Sequence, residues 1–196
     1  MKRCFDILSG LIGLVFLGPV FLIILIVSMA AHGRPVFFKQ HRVGRNGIDF
    51  LLLKFRTMCV EKGAEAGQFD PGDCSRVTSV GKFLRRTKLD ELPQIWNVLK
   101  GEMSVVGPRP EIRKWVEAYP NHWQEVLTVR PGITDPASIR FRNEEALLAL
   151  ASDPEAEYRE VILPQKLALY EEYVANASFF GDLALIFKTI IVVVYK

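Results

Sequence analysis

Hydrophobic and polar positions divide the 196-residue chain into stretches of different periodicity. From Ile7 to Ala31, ILSGLIGLVFLGPVFLIILIVSMAA, 25 residues pass without a charge. A straight helix of that length reaches about 37 Å, enough to cross a hydrocarbon core of about 30 Å. The run is too long for a cleaved signal peptide. Gly18-Pro19 falls in its middle, where proline removes one backbone hydrogen bond and crowds the preceding turn, so a break is expected there. Basic residues flank both ends: Lys2 and Arg3 before the run, and Arg34, Lys39, Arg42 and Arg45 after it. Such flanks favour the cytoplasmic face, so a helix-break-helix that enters and leaves one leaflet fits both features. On these residues alone a straight span with a tolerated proline stays open.

After His32-Gly33 the pattern becomes extended. PVFFKQHRVG and IDFLLLKFRTM read as two strands around an Asn46-Gly47 turn. The stretch 61–75, rich in Gly, Asp and Glu with Pro71, reads as a loop, and VGKFLRRTKL as a short basic helix. In LDELPQIWNVLKGEMSVVGPRP, Leu92, Ile95, Trp96 and Leu99 fall at i, i+3, i+4 and i+7, with Gly101 as a C-terminal stop. This predicts a short amphipathic helix with Pro93 in its first turn, Asp90 near its N-cap and Glu91 just inside it. Residues 111–135 mix helix and loop, and 143–175 form one or two polar helices interrupted by Pro154 and Pro164. Residues 183, 186, 187, 190, 191 and 194 make an apolar helical stripe, too short to span a bilayer, that lies on a membrane or packs in the core. The whole reads as an α+β fold with a membrane-inserted segment over 1–33 and a second domain over 34–196.

Composition sharpens this in two places. The mean hydropathy of +0.17 comes largely from the N-terminal block. Residues 34–114 carry 16 Lys+Arg against 9 Asp+Glu, a net of +7, whereas 115–196 carry 7 against 12, a net of −5. The middle of the chain therefore suits an anionic partner: nucleic acid, lipid headgroups or a phosphorylated small molecule. Cys4, Cys59 and Cys74 lack the spacing of a zinc or redox site and read as free thiols.

The adjacent carboxylates Asp90 and Glu91 are the main candidates for chemistry. Aspartate is a favoured N-cap, and acidic residues in a first turn gain about 0.3–1 kcal/mol from the helix dipole. Capping does not exclude catalysis, since a helix N-terminus favours the ionised form that a nucleophile or a Mg²⁺ ligand requires. Arg85, Arg86 and Lys88 precede the pair, and Arg109 stands between Pro108 and Pro110. An arginine fork held in that way can take a phosphate through two parallel hydrogen bonds. A set of salt bridges is the alternative use of the same charges.

The motifs KRCFDILSGLIGLVFLGPVF, PVFFKQHRVGRNG, LLKFRTM, GKFLRRTKLDELPQIWNVLKGEMSVVGPRP and VRPGIT, in this order over residues 2–134, resemble the bacterial sugar transferases, specifically the small monotopic phosphoglycosyl transferases. FFGDLALIFKTI near the C-terminus is similar to the family as well. The resemblance implies an N-terminal re-entrant membrane helix broken at Gly18-Pro19, a small cytoplasmic α/β catalytic domain and membrane-surface amphipathic helices. It places the protein at the cytoplasmic face of the bacterial inner membrane. It also implies an enzyme that moves a sugar-1-phosphate from a UDP-sugar to undecaprenyl phosphate and releases UMP, as the first membrane step of glycoconjugate or polysaccharide assembly. Carried over by motif, Asp90 is the nucleophile that forms a covalent phosphosugar intermediate, and Glu91 is the Mg²⁺ ligand. Arg109 and Arg85 bind the nucleotide diphosphate or shape the site with Pro108 and Pro110. Lys54, Arg56 and Arg42 hold phosphate or shape the hairpin, where cross-strand pairing is an equal alternative for the two arginines. Arg142 matches a family arginine, whereas Asp135-Pro136 in DPASIRFR depart from the family's Gly-Leu-Ala-Gln at the segment that would contact sugar and nucleotide. The implied partners are a UDP-sugar, polyprenyl phosphate and membrane lipids, with no nucleic acid; a homodimer is left open. The competing class is a membrane-tethered, non-catalytic module that binds anionic lipid or nucleic acid through the basic middle.

Overall fold

The computed structural model describes residues 2–59 and 76–194. The expected loop over 61–75, and Cys74 with it, lies outside the described residues. The fold is mixed α+β, with small sheets and many short helices. The described residues divide into two compact units: 2–41, 51–59 and 76–105 form the first, and 42–50 and 106–194 the second.

In the first unit the apolar run is one helix, α1, Lys2–His32, with Pro19 inside it. The expected break into two helices is therefore not present as an interruption of the helix. A proline deletes a single hydrogen bond, and the turns on either side are long enough to carry the helix through it. Among the described residues, α1 is the one helix long and apolar enough to cross a membrane. The stretch from Leu11 to Leu17 is largely exposed, whereas α1 is docked on either side of it, around Arg3–Asp6 and again at Ile24 and Ser28. At the start, Arg3 donates to the C-terminal carbonyls of α3 (Gln94–Lys100), 2.6 Å to Val98 O and 2.9 Å to Leu99 O. Asp6, 2% exposed, accepts from Ser104 Oγ at 2.8 Å and Val105 N at 3.0 Å. Toward the other end, Ile24 joins Val36, Phe55 and Leu84 in a hydrophobic cluster against which Phe21 and Phe37 also pack.

The hairpin forms as its sequence predicts. Strands β1 (Phe37–Val43) and β2 (Asp49–Phe55) pair around a turn in which Asn46 and Gly47 have φ of 58° and 74°. Helix α2 (Ser79–Thr87) and α3 follow.

The second unit is built on α4 (Arg113–Ala118), α5 (Pro120–Val126), α6 (Pro136–Arg140), α7 (Glu144–Leu150), α8 (Pro154–Glu157), α9 (Leu163–Ala175) and α10 (Phe179–Val194). Pro154 opens α8, where a missing N–H costs nothing, and a π-helical turn over Tyr158–Ile162 runs directly into α9 with Pro164 in its first turn. Trp115, Trp123, Leu148, Leu163, Leu167 and Tyr170 form its core. Two strands of three residues each, β3 (Ser104–Val106) and β4 (Gly132–Thr134), pair in a second small sheet that the sequence pattern does not reveal. The C-terminal stripe is α10, with Phe179, Phe180, Phe187, Ile190 and Ile191 exposed.

Candidate active site

The dyad sits in the first unit, and its position follows from how α2 ends. Thr78 caps α2 by accepting from Gly81 N at 2.9 Å. A Cβ on Gly81 would lie 2.0 Å from Thr57 O, so glycine is what lets α2 rest directly on the chain leaving β2. Arg85 on α2 then donates Nε to Thr57 Oγ1 at 3.0 Å, beside the buried Arg56. Lys88, with φ of 57°, closes α2 in the left-handed conformation and turns the chain into a 3₁₀ turn over Leu89–Glu91. Helix α3 starts only at Gln94, with Pro93 ahead of it and no side-chain cap. Asp90 is thus not the N-cap of that helix, contrary to the sequence expectation. The left-handed Lys88 and the N–H-lacking Pro93 compress the Leu-Asp-Glu segment into a separate turn, which leaves Asp90 6% and Glu91 7% exposed.

Strand β2 delivers a cation to this turn. Lys54 Nζ donates to Glu91 Oε1 at 2.9 Å, with side-chain exposures of 19% and 8%. The register between β2 and α3 is held by Asn97, which accepts from Leu53 N at 3.2 Å and donates to Leu51 O at 2.8 Å. Of the expected site residues, Lys54, Arg56, Arg85, Asp90 and Glu91 thus belong to the first unit.

Arg42, Pro108, Arg109, Pro110 and Arg142 belong to the second. There the GPRP and RPGIT motifs are pressed together. Gly107 N donates to Thr134 O at 3.1 Å, and Gly132 N to Pro108 O at 2.9 Å. A Cβ on Gly132 would fall 2.1 Å from Gly107 N, so the two backbones meet where only glycine fits. Arg42 clamps the far side of the frame, with Nη1 3.0 Å from Pro110 O and 3.1 Å from Glu111 Oε2, while Val43 N donates to Glu111 O at 2.8 Å. Arg109 stays half-buried between its two prolines, and Arg142 is half-buried beyond α6. The DPASIRFR departure forms a helix start: Asp135, fully buried, caps α6 by accepting from Ser138 N at 2.8 Å and from Ser138 Oγ.

The chain matches the bacterial sugar transferase family over residues 1–196. It belongs to that family. It is 37% identical to the exopolysaccharide production protein ExoY of Rhizobium meliloti (strain 1021), over 96% of this chain and 83% of that protein. It is 35% identical to the UDP-N-acetylgalactosamine-undecaprenyl-phosphate N-acetylgalactosaminephosphotransferase of Aeromonas hydrophila, over 97% of this chain and 43% of that one. To the undecaprenyl-phosphate galactose phosphotransferase of Salmonella typhimurium it is 32% identical, over 100% of this chain and 41% of that one. The chain thus spans less than half the length of the last two.

Next to the arginine frame this sugar transferase carries a buried ionic network that the sequence reading did not find. Glu111 Oε1 accepts from Tyr158 Oη at 2.5 Å and faces Lys166 Nζ at 3.4 Å, while Lys166 also meets Glu144 at 3.2 Å. Burial alone would push the Glu111 carboxyl up; Lys166, Arg42, Tyr158 and Arg109 outweigh it and hold the group below its usual range. Burial pushes Asp135 up, against the opposing pull of Ser138, Arg109 and Lys166. A signal for Lys166 was available: Leu163, Lys166, Leu167 and Tyr170 occupy one helical stripe, and a lysine in an apolar stripe needs a buried partner. Glu111, one residue past the proline frame, offers no such pattern.

Mg²⁺ takes one or two carboxylates and completes its shell with water and phosphate oxygens. Glu91, buried next to Asp90, supplies a hard oxygen donor of that kind. Among the described residues no three His, Cys, Asp or Glu gather as a metal site. The donor set therefore fits a cation that shares its ligands with a phosphate and does not fit a caged structural ion.

Proposed function

We propose that the protein transfers a sugar-1-phosphate from a UDP-sugar to undecaprenyl phosphate for polysaccharide synthesis. The observation that carries this reading is the family match across the whole chain, with the Asp90-Glu91 dyad buried beside Lys54. An Asp90 carboxylate oxygen attacks the β-phosphorus; the bond from that phosphorus to the bridging oxygen breaks, and UMP leaves with the electron pair. A phosphate oxygen of the lipid then attacks the phosphosugar held on Asp90 and releases the carboxylate. Dividing one displacement into two is the gain of nucleophilic catalysis. Bound at Glu91, Mg²⁺ would neutralise the charge that develops on the phosphoryl oxygens. Arg85 and Arg56 supply positive charge in the same unit as the dyad, and Arg109, with its backbone fixed by Pro108, Pro110 and Arg42, offers a fork for an anion in the other unit.

Incubation with a panel of UDP-sugars, undecaprenyl phosphate and Mg²⁺ is expected to release UMP with one of them. Asp90→Asn is expected to abolish release, and mass spectrometry of the trapped wild type to add one phosphosugar at Asp90. An unaltered rate in Asp90→Asn removes that residue as the nucleophile.

For the membrane segment the reading is re-entrant. The basic flanks support it: Lys2 and Arg3 before the apolar run and Arg34, Lys39, Arg42 and Arg45 after it all favour the cytoplasmic face, and Pro19 is where α1 would bend to return there. Cys4 is exposed, so it serves as the probe once Cys59 and Cys74 are replaced by serine. An impermeant maleimide added outside intact cells should leave Cys4 unlabelled; labelling would establish a straight span.

A further inference from the structure

Lys54 is the group at the carboxylate centre whose observed contact runs against the task given to its partner. Its ammonium occupies Glu91 Oε1 at 2.9 Å, in a pair whose side chains are 19% and 8% exposed. Breaking so shielded a pair is costly, so Lys54 gives up Glu91 most readily in exchange for another anion. The same carboxylate is a donor that Mg²⁺ would need at about 2.0–2.1 Å, and an ammonium and a divalent cation on one carboxylate repel each other. No third protein carboxylate or imidazole joins the dyad among the described residues, so the remaining ligands come from water and phosphate. A diphosphate meets both requirements at once, as a source of metal ligands and as a new anion for the lysine. Asn97 fixes β2 to α3, so the exchange needs rotation of the flexible lysine stem and no backbone movement.

We propose that Lys54 keeps the metal's place at Glu91 and moves to the nucleotide diphosphate on loading, so that divalent cation and UDP-sugar bind as a pair and each binds poorly alone. The proposal rests on the transferase reading and adds a coupling between the two ligands to it. By linkage, the factor by which the nucleotide tightens the cation equals the factor by which the cation tightens the nucleotide.

The test uses the full chain in detergent micelles, with Mn²⁺ read by the electron paramagnetic resonance of the free ion and UDP as the nucleotide. Mn²⁺ held by UDP in protein-free buffer is subtracted. Saturating UDP should tighten Mn²⁺ on the wild type by about fivefold or more. Lys54→Gln should bind Mn²⁺ alone about fivefold more tightly than the wild type and lose most of the UDP enhancement. Lys54→Arg, which keeps the charge, should behave as wild type, and Glu91→Gln should lose Mn²⁺ in either background. A lysine that merely orients Glu91 gives the opposite sign: equal or weaker Mn²⁺ binding in Lys54→Gln overturns the proposal. Tight wild-type binding of Mn²⁺ that UDP does not improve overturns it without any variant. The transferase reading fails separately, through absence of UMP release from every UDP-sugar, and these binding measurements do not depend on turnover.

Discussion

Replacing Glu111 by glutamine removes one charge from a site where the structure allows little relief. Lys166 and Arg42 lose their shared counter-charge at 3.4 and 3.1 Å, with side-chain exposures of 4% and 12%. Removing one partner from a buried ion pair costs about 3–5 kcal/mol. The lower end applies, because the glutamine oxygen still accepts from Tyr158, Lys166 keeps Glu144 at 3.2 Å and Arg42 keeps Pro110 O at 3.0 Å. About 3 kcal/mol in a chain of this size corresponds to a midpoint lowered by roughly 6–12 °C. Fluorescence of Trp115 and Trp123, both in the core of the second unit, reads it directly, since Trp115 packs against Tyr158 with centroids 5.1 Å apart. Glu144→Gln is the control: its side chain is 24% exposed, and the loss should stay below about 1 kcal/mol. The pH dependence has a definite sign. Glu111 titrates lower in the folded state than its ordinary 4.5, so its contribution is complete above that value and is lost as pH falls through the folded pKa. The gap between wild type and Glu111→Gln should therefore close in acid. A loss no larger than that of Glu144→Gln, or a gap that widens in acid, refutes the assignment.

Gly132→Ala drives a Cβ against backbone at 2.1 Å and should leave the second unit unfolded, seen as rapid cleavage by a protease under conditions where the wild type survives. Asp6→Ala strands Ser104 Oγ and Val105 N and should cost about 1–3 kcal/mol by chemical denaturation in micelles. Asp135→Ala removes the α6 cap and should cost about 1 kcal/mol, whereas Asp135→Asn keeps an acceptor for Ser138 N and should cost less than half of that. Because burial raises the Asp135 pKa, the folded state holds its proton more tightly. Wild-type stability should therefore fall as pH rises through the folded pKa, a slope that Asp135→Asn lacks.

Long and periodic elements were legible in the sequence, and short ones shaped by neighbours were not. The apolar run gave α1 its extent because 25 uncharged residues leave few alternatives, and Asn46-Gly47 marked the hairpin because positive φ at two successive positions selects those residues. The helix after Asp90 was found to within two residues from Leu92, Ile95, Trp96 and Leu99. Asp90 lies outside that helix, since a cap and a 3₁₀ turn share the same local residues and differ only in what Lys88 does before them. Strands β3 and β4 have three residues each, too few for a period of two to register. Glu91 could be named as reactive from its neighbours in the chain. Its pairing with Lys54, 37 residues away, is set by Asn97 bridging a helix and a strand, and no local spacing records that.

The meeting of Gly107 and Gly132 makes a closed cassette of the 24 residues between them. Their ends are pinned by Gly107 N to Thr134 O and Gly132 N to Pro108 O, so the entrance and exit of the segment are independent of what lies along it. Helices α4 and α5 inside the cassette can then vary in surface sequence without moving Arg109. The closure also carries a cost for evolution. Because neither glycine tolerates a side chain, no substitution at either end of the cassette is neutral.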